Sequence, residues 1–301
     1  MKCRHCHAEL TLPLIDLGTA PPSNAYLSQQ ALRAPEKYYP LRVLVCTTCW
    51  LAQTEDYADA NELFSADYAY FSSYSTTWLR HAEQYVTETL NRFDLNTNSY
   101  VVEVAANDGY LLQYVHERGI PCLGIEPTTS TANTARAKGI KIIEEFFGIN
   151  LATRLVSEGM QADLMVANNV LAHVPDINDF VAGFALLLKP AGVATFEFPH
   201  LLRMVSENLF DTIYHEHYSY LSLIAVKRIF ESNGLNVFDV EEIPTHGGSL
   251  RVYAQRKDTE THEINQRVKI LMDRELQAGM NKAAFYEGFQ SKANKTTNDL
   301  M

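Results

Sequence analysis

Two groups of residues in this sequence have the types and the spacing to do chemistry. The first is a pair of thiol pairs, Cys3-x-x-Cys6 and Cys46-x-x-Cys49. Each pair can bite one tetrahedral ion from a tight turn, and two pairs fill a shell of four sulfurs, which suits zinc. Four cysteines leave no open coordination position, so this zinc is expected to be structural, and His5 and His7 are not needed to complete it. The fifth cysteine, Cys122, opens an apolar run and reads as a small core residue. The second group is the run Tyr214-His-Glu-His-Tyr-Ser-Tyr220, with two histidines, a glutamate and three tyrosines in seven positions. It can be read as the working end of an enzyme, as a metal site at His215-x-His217, or as a polar loop. A metal there would need further ligands that the sequence does not obviously place.

The elements that must position these residues follow a clear rhythm. Short apolar runs at 101–105, 122–126, 141–146, 163–169 and 193–198 alternate with loops or helical segments, the signature of βαβ units around a parallel sheet. A helix from about Ser222 ends at Asn233-Gly234, a plausible left-handed cap. Two later strands, LNVFDVEEI and SLRVYAQR, are joined by the turn-like PTHGGS and read as an antiparallel hairpin closing the sheet. Residues 1–65 show little periodicity and look like a small zinc-binding domain. Residues 66–257 form the α/β domain. Residues 258–301 are charged and helical, with Ile264, Val268, Leu271 and Met272 on one face and Phe285 and Phe289 four apart.

Composition narrows the partners. With 25 Lys and Arg against 36 Asp and Glu, the net charge of -11 repels phosphate backbones and anionic membranes. No basic patch offsets it, so neither nucleic acid nor membrane is an expected partner. The chain has no apolar run of signal-peptide or membrane-spanning length, and 47% hydrophobic residues are enough for a core. A soluble, cytoplasmic protein is the expectation, with a monomer as the default state.

The first strand runs VVEVAANDGYLL, and a turn that brings backbone close to a ligand favours residues tolerant of positive φ, here Asn107 and Gly109. Glu126, at the end of the second strand and followed by Pro127, can accept both hydroxyls of a ribose. Five parallel strands, a closing hairpin and these acids resemble the class I, Rossmann-like fold of S-adenosylmethionine-dependent methyltransferases. The resemblance places Glu103 and the AANDG loop at the family's Gly-rich first motif, Glu126 at its ribose acid and Asn168-Asn169 at its fourth-strand motif. Ala105 departs from the family's usual glycine.

The combination is narrower still. The four-cysteine module, DYAYFSSYS, the E-x-x-x-NDG loop, NNVLAHVPD, the Y-H-E-H run and THGGSLRVY resemble the C-methyltransferases that act on nucleotide-linked keto-sugars, over residues 1 to about 290. That resemblance implies deprotonation beside a sugar ketone and methyl transfer to the enolate, with dTDP the expected carrier. Such a carbon acid needs a base poised near neutral pH and a donor for the enolate oxygen. His217 suits the base, Glu216 would raise its basicity or hold its tautomer, and Tyr214 could bond the carbonyl. The resemblance adds Tyr68 and His173 to the pocket; His173 follows the fourth strand, at the carboxyl edge where such sheets bind ligands. In THGGS, His246, Gly247, Gly248 and Ser249 would touch the sugar nucleotide or simply make the turn. His215, Tyr218 and Tyr220 read as supporting residues. Members of the family continue into a further α/β domain, so this chain is expected to lack the usual C-terminal domain, with residues 258–301 as its start. The alternatives are an O- or N-methyltransferase and a non-catalytic zinc-ribbon binding module. Which sugar, which carbon, and whether His217 or Glu216 holds the proton are not legible.

Overall fold

The computed structural model describes residues 1–24, 26–57, 63–64 and 70–300. Its strands are β1 (Leu12–Ala20), β2 (Tyr39–Val45), β3 (Ala52–Thr54), β4 (Val101–Val104), β5 (Cys122–Ile125), β6 (Ile142–Ile143), β7 (Ala162–Asn168), β8 (Leu188–Pro199), β9 (Ser219–Tyr220), β10 (Leu235–Ile243) and β11 (Ser249–Arg256). The helices are α1 (Thr76–Arg92), α2 (Leu112–His116), α3 (Thr129–Ala137), α4 (Ile149–Ser157), α5 (Ile177–Leu187), α6 (Leu201–Ser206), α7 (Leu223–Ser232), α8 (Gln266–Ala278), α9 (Ala283–Tyr286) and α10 (Phe289–Leu300).

The larger sheet has seven strands in the order β10-β11-β8-β7-β4-β5-β6. The five from β6 to β8 are parallel, and β11 and β10 add antiparallel. Central β4 reads Val-Val-Glu-Val with all four residues buried, as a parallel strand covered on both faces requires. The expected α/β class and strand positions hold, with differences in extent. The third parallel strand shrinks to Ile142–Ile143, since Glu144 and Glu145 turn outward to pair with Arg136 and Arg154. The hairpin closes the sheet with its later strand inside: β11 lies between β8 and β10.

Helix starts are set by short polar side chains. Ser75, Asp176 and Ser222 accept from the backbone N–H groups of Trp78, Asp179 and Ala225 at the heads of α1, α5 and α7. The last of these ends at Asn233, and Gly234 follows at φ 87°, as its sequence promised.

Strands β1, β2 and β3 form an antiparallel sheet, and its fourth strand is β9, the Ser219-Tyr220 end of the tyrosine-histidine run. The C-terminal segment joins the same core: Met280, Tyr286, Phe289 and Ala293 pack with Leu14, Ile15, Val43 and Val45, and Tyr286 stacks on Trp50 at 6.1 Å. Of the expected apolar helical face, Val268 and Leu271 are buried, whereas Ile264 precedes the helix and is exposed. Glu275 of α8 is fully buried and accepts from Leu223 N, Ile224 N and His200 Nε2 at 2.7–2.8 Å.

Candidate active site and metal centre

The sulfur atoms of Cys3, Cys6, Cys46 and Cys49 lie within 4.8 Å of one another. Four ligands about 2.3 Å from a tetrahedral ion stand about 3.8 Å apart, and the closest sulfur pairs here, Cys3–Cys49 and Cys6–Cys46, are at 3.5 and 3.4 Å. The donor set fits zinc. The two loops that carry it are built alike: His7 N donates to Cys3 O and Trp50 N to Cys46 O, while Cys3 N bonds Ala8 O and Cys46 N bonds Leu51 O. His7 and Trp50 each take a positive φ to close the turn. Of the two neighbouring histidines, His5 turns its Nδ1 to Asn178 Oδ1 at 2.8 Å.

At the carboxyl edge of the larger sheet, the loop after β4 holds Ala105, Asn107 and Gly109 at φ 57°, 49° and 75°. The sequence offered one glycine, yet the backbone is left-handed at all three alternate positions. At Gly109 a Cβ would meet Ile140 Cδ1 at 2.4 Å, so that position admits glycine alone. Glu126 binds the loop from below: Oε2 accepts from Asn107 N, and Oε1 from Thr128 N, both at 2.9 Å. The Asn107 side chain is engaged within the protein. It accepts from Ser72 N at 2.9 Å and donates to Tyr70 O at 3.0 Å, and Asp108 Oδ2 accepts from Ser73 N, so the loop pins the segment before α1 over the site.

Around this edge, one oxygen each of Asp108 and Asn169 is buried without a partner among the described residues, while Glu103 and Asn168 lie against the buried Tyr110 hydroxyl. Burial pushes the Glu103 carboxyl well above its usual range. Unmatched polar groups of this kind at a sheet's carboxyl edge fit a polar cofactor such as S-adenosylmethionine.

A cavity of about 900 Å³ joins that edge to the histidines. Ala105, Asn107, Glu126, Pro127, Asn168 and Asn169 line it, as do His173, Tyr214, Glu216, His217 and His246. Gly247, Gly248 and Ser249 do not. They make the turn, with His246, Gly247 and Gly248 all at positive φ and Ser249 Oγ donating to Thr245 O. Tyr68 lies outside the described residues; Tyr70 of the same run lines the cavity. Trp78 and Asn24 belong to the lining without a signal in the sequence, because each sits on a segment whose approach is set only by the tertiary fold. Among the described residues no lysine or arginine lines the cavity.

The run itself divides. The Nδ1 of His217 faces Thr212 O at 3.1 Å, and a carbonyl can only accept, so Nδ1 carries the proton; Nε2 then accepts from the Tyr214 hydroxyl at 2.8 Å. In the same way His173 Nδ1 donates to Glu216 O at 2.9 Å and keeps its lone pair on Nε2. The two imidazoles sit 4.7 Å apart. Burial pushes His173 down to about 4, and burial together with His173 holds His217 well below its usual range. This corrects the expectation of a base poised near neutrality: both rings are neutral throughout the physiological range. Burial raises the Tyr214 phenol, with Glu216 adding to it. Glu216 was expected to hold the tautomer, but Thr212 O does so, and the carboxylate accepts from Ser23 Oγ at 2.9 Å and Asn24 Nδ2 at 2.7 Å. His215 turns away to donate to the carbonyls of Tyr39 and Pro40.

Residues 3–64 match the family model described as "Putative zinc binding domain", and residues 78–240 match "Methyltransferase domain". Residues 244–301 match "C-methyltransferase C-terminal domain". The chain is 30% identical over 288 residues to the C-methyltransferase NovU of Streptomyces niveus, covering 96% of this chain and 68% of that protein. The chain belongs to this C-methyltransferase family. It is an S-adenosylmethionine-dependent methyltransferase with a zinc-binding domain. The expectation that the methyltransferase lacks the family's C-terminal domain is overturned by the match over residues 244–301. Among solved structures, a protein from Pyrococcus horikoshii is similar at 12% identity, over 62% of this chain and 95% of that one, with a TM-score of 0.49. The magnesium protoporphyrin IX methyltransferase of Synechocystis, solved with S-adenosylmethionine bound, is similar at 14% identity over 60% and 79%, with a TM-score of 0.45. Among the described residues no helix is long and apolar enough to cross a membrane.

Proposed function

We propose that this methyltransferase methylates a carbon beside the ketone of a nucleotide-linked deoxy keto-sugar, with dTDP as the carrier. The observation that carries the reading is that His173, Tyr214 and His217 open into the same cavity as the loop after β4, Glu126 and Asn168. In a chain 30% identical to a named C-methyltransferase, a neutral imidazole with a free lone pair beside a protonated phenol supports proton removal from a carbon acid.

S-Adenosylmethionine, held by Glu126, Asn168 and the loop after β4, supplies an electrophilic methyl group. The chain's own residues handle the proton. A substrate carbonyl that takes the Tyr214 hydroxyl's hydrogen bond frees the Nε2 lone pair of His217, and the proton from the adjacent carbon passes to that nitrogen. Tyr214 then stands against the enolate oxygen as donor, its phenol kept protonated by burial. The Thr212 carbonyl supports the imidazolium that results. The lone pair of His173 lies alongside, and His246 approaches from the hairpin turn.

Incubation with dTDP-linked keto-sugars in deuterated water tests this. Deuterium should enter beside the ketone in the wild type, and His217→Asn should abolish the exchange. Product methylated on oxygen or nitrogen would instead favour an O- or N-methyltransferase.

A further inference from the structure

The zinc-binding domain touches the reaction more closely than a scaffold would need to. Two adjacent residues of β3 face opposite tasks. Gln53, fully buried, donates from Nε2 to Cys3 Sγ at 3.3 Å. Its neighbour Thr54 donates from Oγ1 to His217 O at 3.1 Å and from its backbone N to Tyr218 O at 3.1 Å. One residue along the strand therefore separates a zinc ligand's partner from the partner of the proposed base.

A second path starts inside the first cysteine loop. Arg4, between Cys3 and Cys6, has a side chain only 5% exposed. Its guanidinium donates to Pro175 O at 2.9 Å and to Thr54 O at 3.1 Å, pairs with Asp56 at 2.7 Å, and lies 5.3 Å from the ring centre of Tyr218. Pro175 is two residues after His173, and Tyr218 is one after His217. Neither histidine stands on a long element of its own. His173 ends a single 3-10 turn, and the stretch from Leu209 to Tyr218 contains only the 3-10 turn Phe210–Thr212 and a turn closed by His217 N on Tyr214 O before β9 pairs with β3.

We propose that Thr54 and Arg4 are positioning residues of the reaction, through which the zinc-binding domain sets where His217 and His173 stand in the cavity. The proposal rests on the reading that these histidines serve the carbon acid. A misplacement of about 1 Å in such a site costs on the order of a hundredfold in rate. The loss of one buried hydrogen bond from Thr54 therefore registers in turnover even when folding is intact.

Thr54→Val keeps the shape and the backbone N–H while removing the hydroxyl, and Thr54→Ser restores the hydroxyl. In the full zinc-loaded chain, Thr54→Val should lower kcat for exchange and methylation at least about tenfold, with KM for S-adenosylmethionine within about twofold of wild type and zinc content unchanged. Thr54→Ser should recover the rate. Independently of turnover, the imidazole nitrogen signals of ¹⁵N-histidine-labelled protein should report one Nδ1–H tautomer for His217 in wild type and Thr54→Ser, shifted or broadened in Thr54→Val. Should Thr54→Val not fold, Arg4→Lys, which keeps the pairing with Asp56 but cannot span both carbonyls, should show the same kcat loss and unchanged donor KM. Unchanged kcat in these variants, a loss that serine does not rescue, or a loss that follows zinc content would overturn the proposal. His217→Asn, run alongside, separates the two levels: if it leaves exchange intact, the catalytic reading falls and positioning with it. If it abolishes exchange while Thr54→Val does not, positioning alone falls.

Discussion

The metal centre and the donor cavity follow opposite rules. At the centre, both cysteine loops pair their turn donors in the same pattern, and the four sulfurs converge on one point. At the cavity, the same fold leaves a buried oxygen of Asn169, and behind it one of Asp108, without a partner among the described residues, and it holds Ala105 and Asn107 in left-handed backbone. A buried unpaired polar group costs about 1–3 kcal/mol. One site thus adds stability to the fold once its ion is bound, while the other subtracts from it until a ligand arrives. The domain built around the first site also reaches into the second through β3 and β9.

Four measurements sharpen or break that contrast. Metal removal should have the largest effect. Structural zinc bound by such a shell contributes on the order of 10 kcal/mol of apparent free energy at neutral pH. A chelated chain, or Cys46→Ser, should lose the zinc of about one ion per chain together with the cooperative melting of the β1–β3 sheet; a metal-free chain that melts with the intact one would erase the distinction. Next, Glu126→Gln removes the charge but keeps the shape, and calorimetric affinity for S-adenosylmethionine should fall about 10- to 100-fold, the range for hydrogen bonds to a charged group. Unchanged affinity would mean that the carboxylate serves only the Asn107 and Thr128 amides.

The third measurement concerns pH. In the unfolded chain His173 takes a proton near pH 6.5, whereas in the folded chain it does so only near about 4. The unfolded state binds the extra proton between those values, so the stability that His173 contributes is full above the upper one and is lost as pH falls through the window. The loss at pH 5 is about 2 kcal/mol. Thermal melts from pH 7 to 4.5 should show a shallower acid slope in His173→Asn, and parallel slopes would contradict it. The smallest effect belongs to Ala105→Gly. Left-handed backbone costs alanine about 1–2 kcal/mol, part of which glycine returns to the more flexible unfolded chain. A gain of up to about 1 kcal/mol is expected, and a lower Tm would show that the alanine methyl does packing that outweighs its strain.

How legible each site was follows from how local its determinants are. The cysteine pairs are each set by four consecutive residues, so spacing alone identified them. The strands of the larger sheet were legible because buried parallel strands are continuous apolar runs, as in Val101–Val104. The histidine run was legible as a cluster, but its hydrogen bonding was not. The tautomer of His217 depends on the carbonyl of Thr212, and its suppressed basicity depends on burial and on His173, 44 residues upstream. Glu216 was given to its sequence neighbour, yet Ser23 and Asn24, nearly two hundred residues away, hold its carboxylate. The β3–β9 pairing had no signal either, because three- and two-residue strands carry no measurable period.

Glu275 gives the molecule a mechanical property. One buried carboxylate on α8 binds the first amides of α7 and the imidazole of His200, the residue that directly follows β8. Swinging α8 outward would strand an anion, two amides and an imidazole at once in an apolar interior. The C-terminal helices therefore cannot hinge freely. The same carboxylate ties α8 to the point where β8 gives way to α6 and to the start of α7, so these three elements are coupled through one side chain.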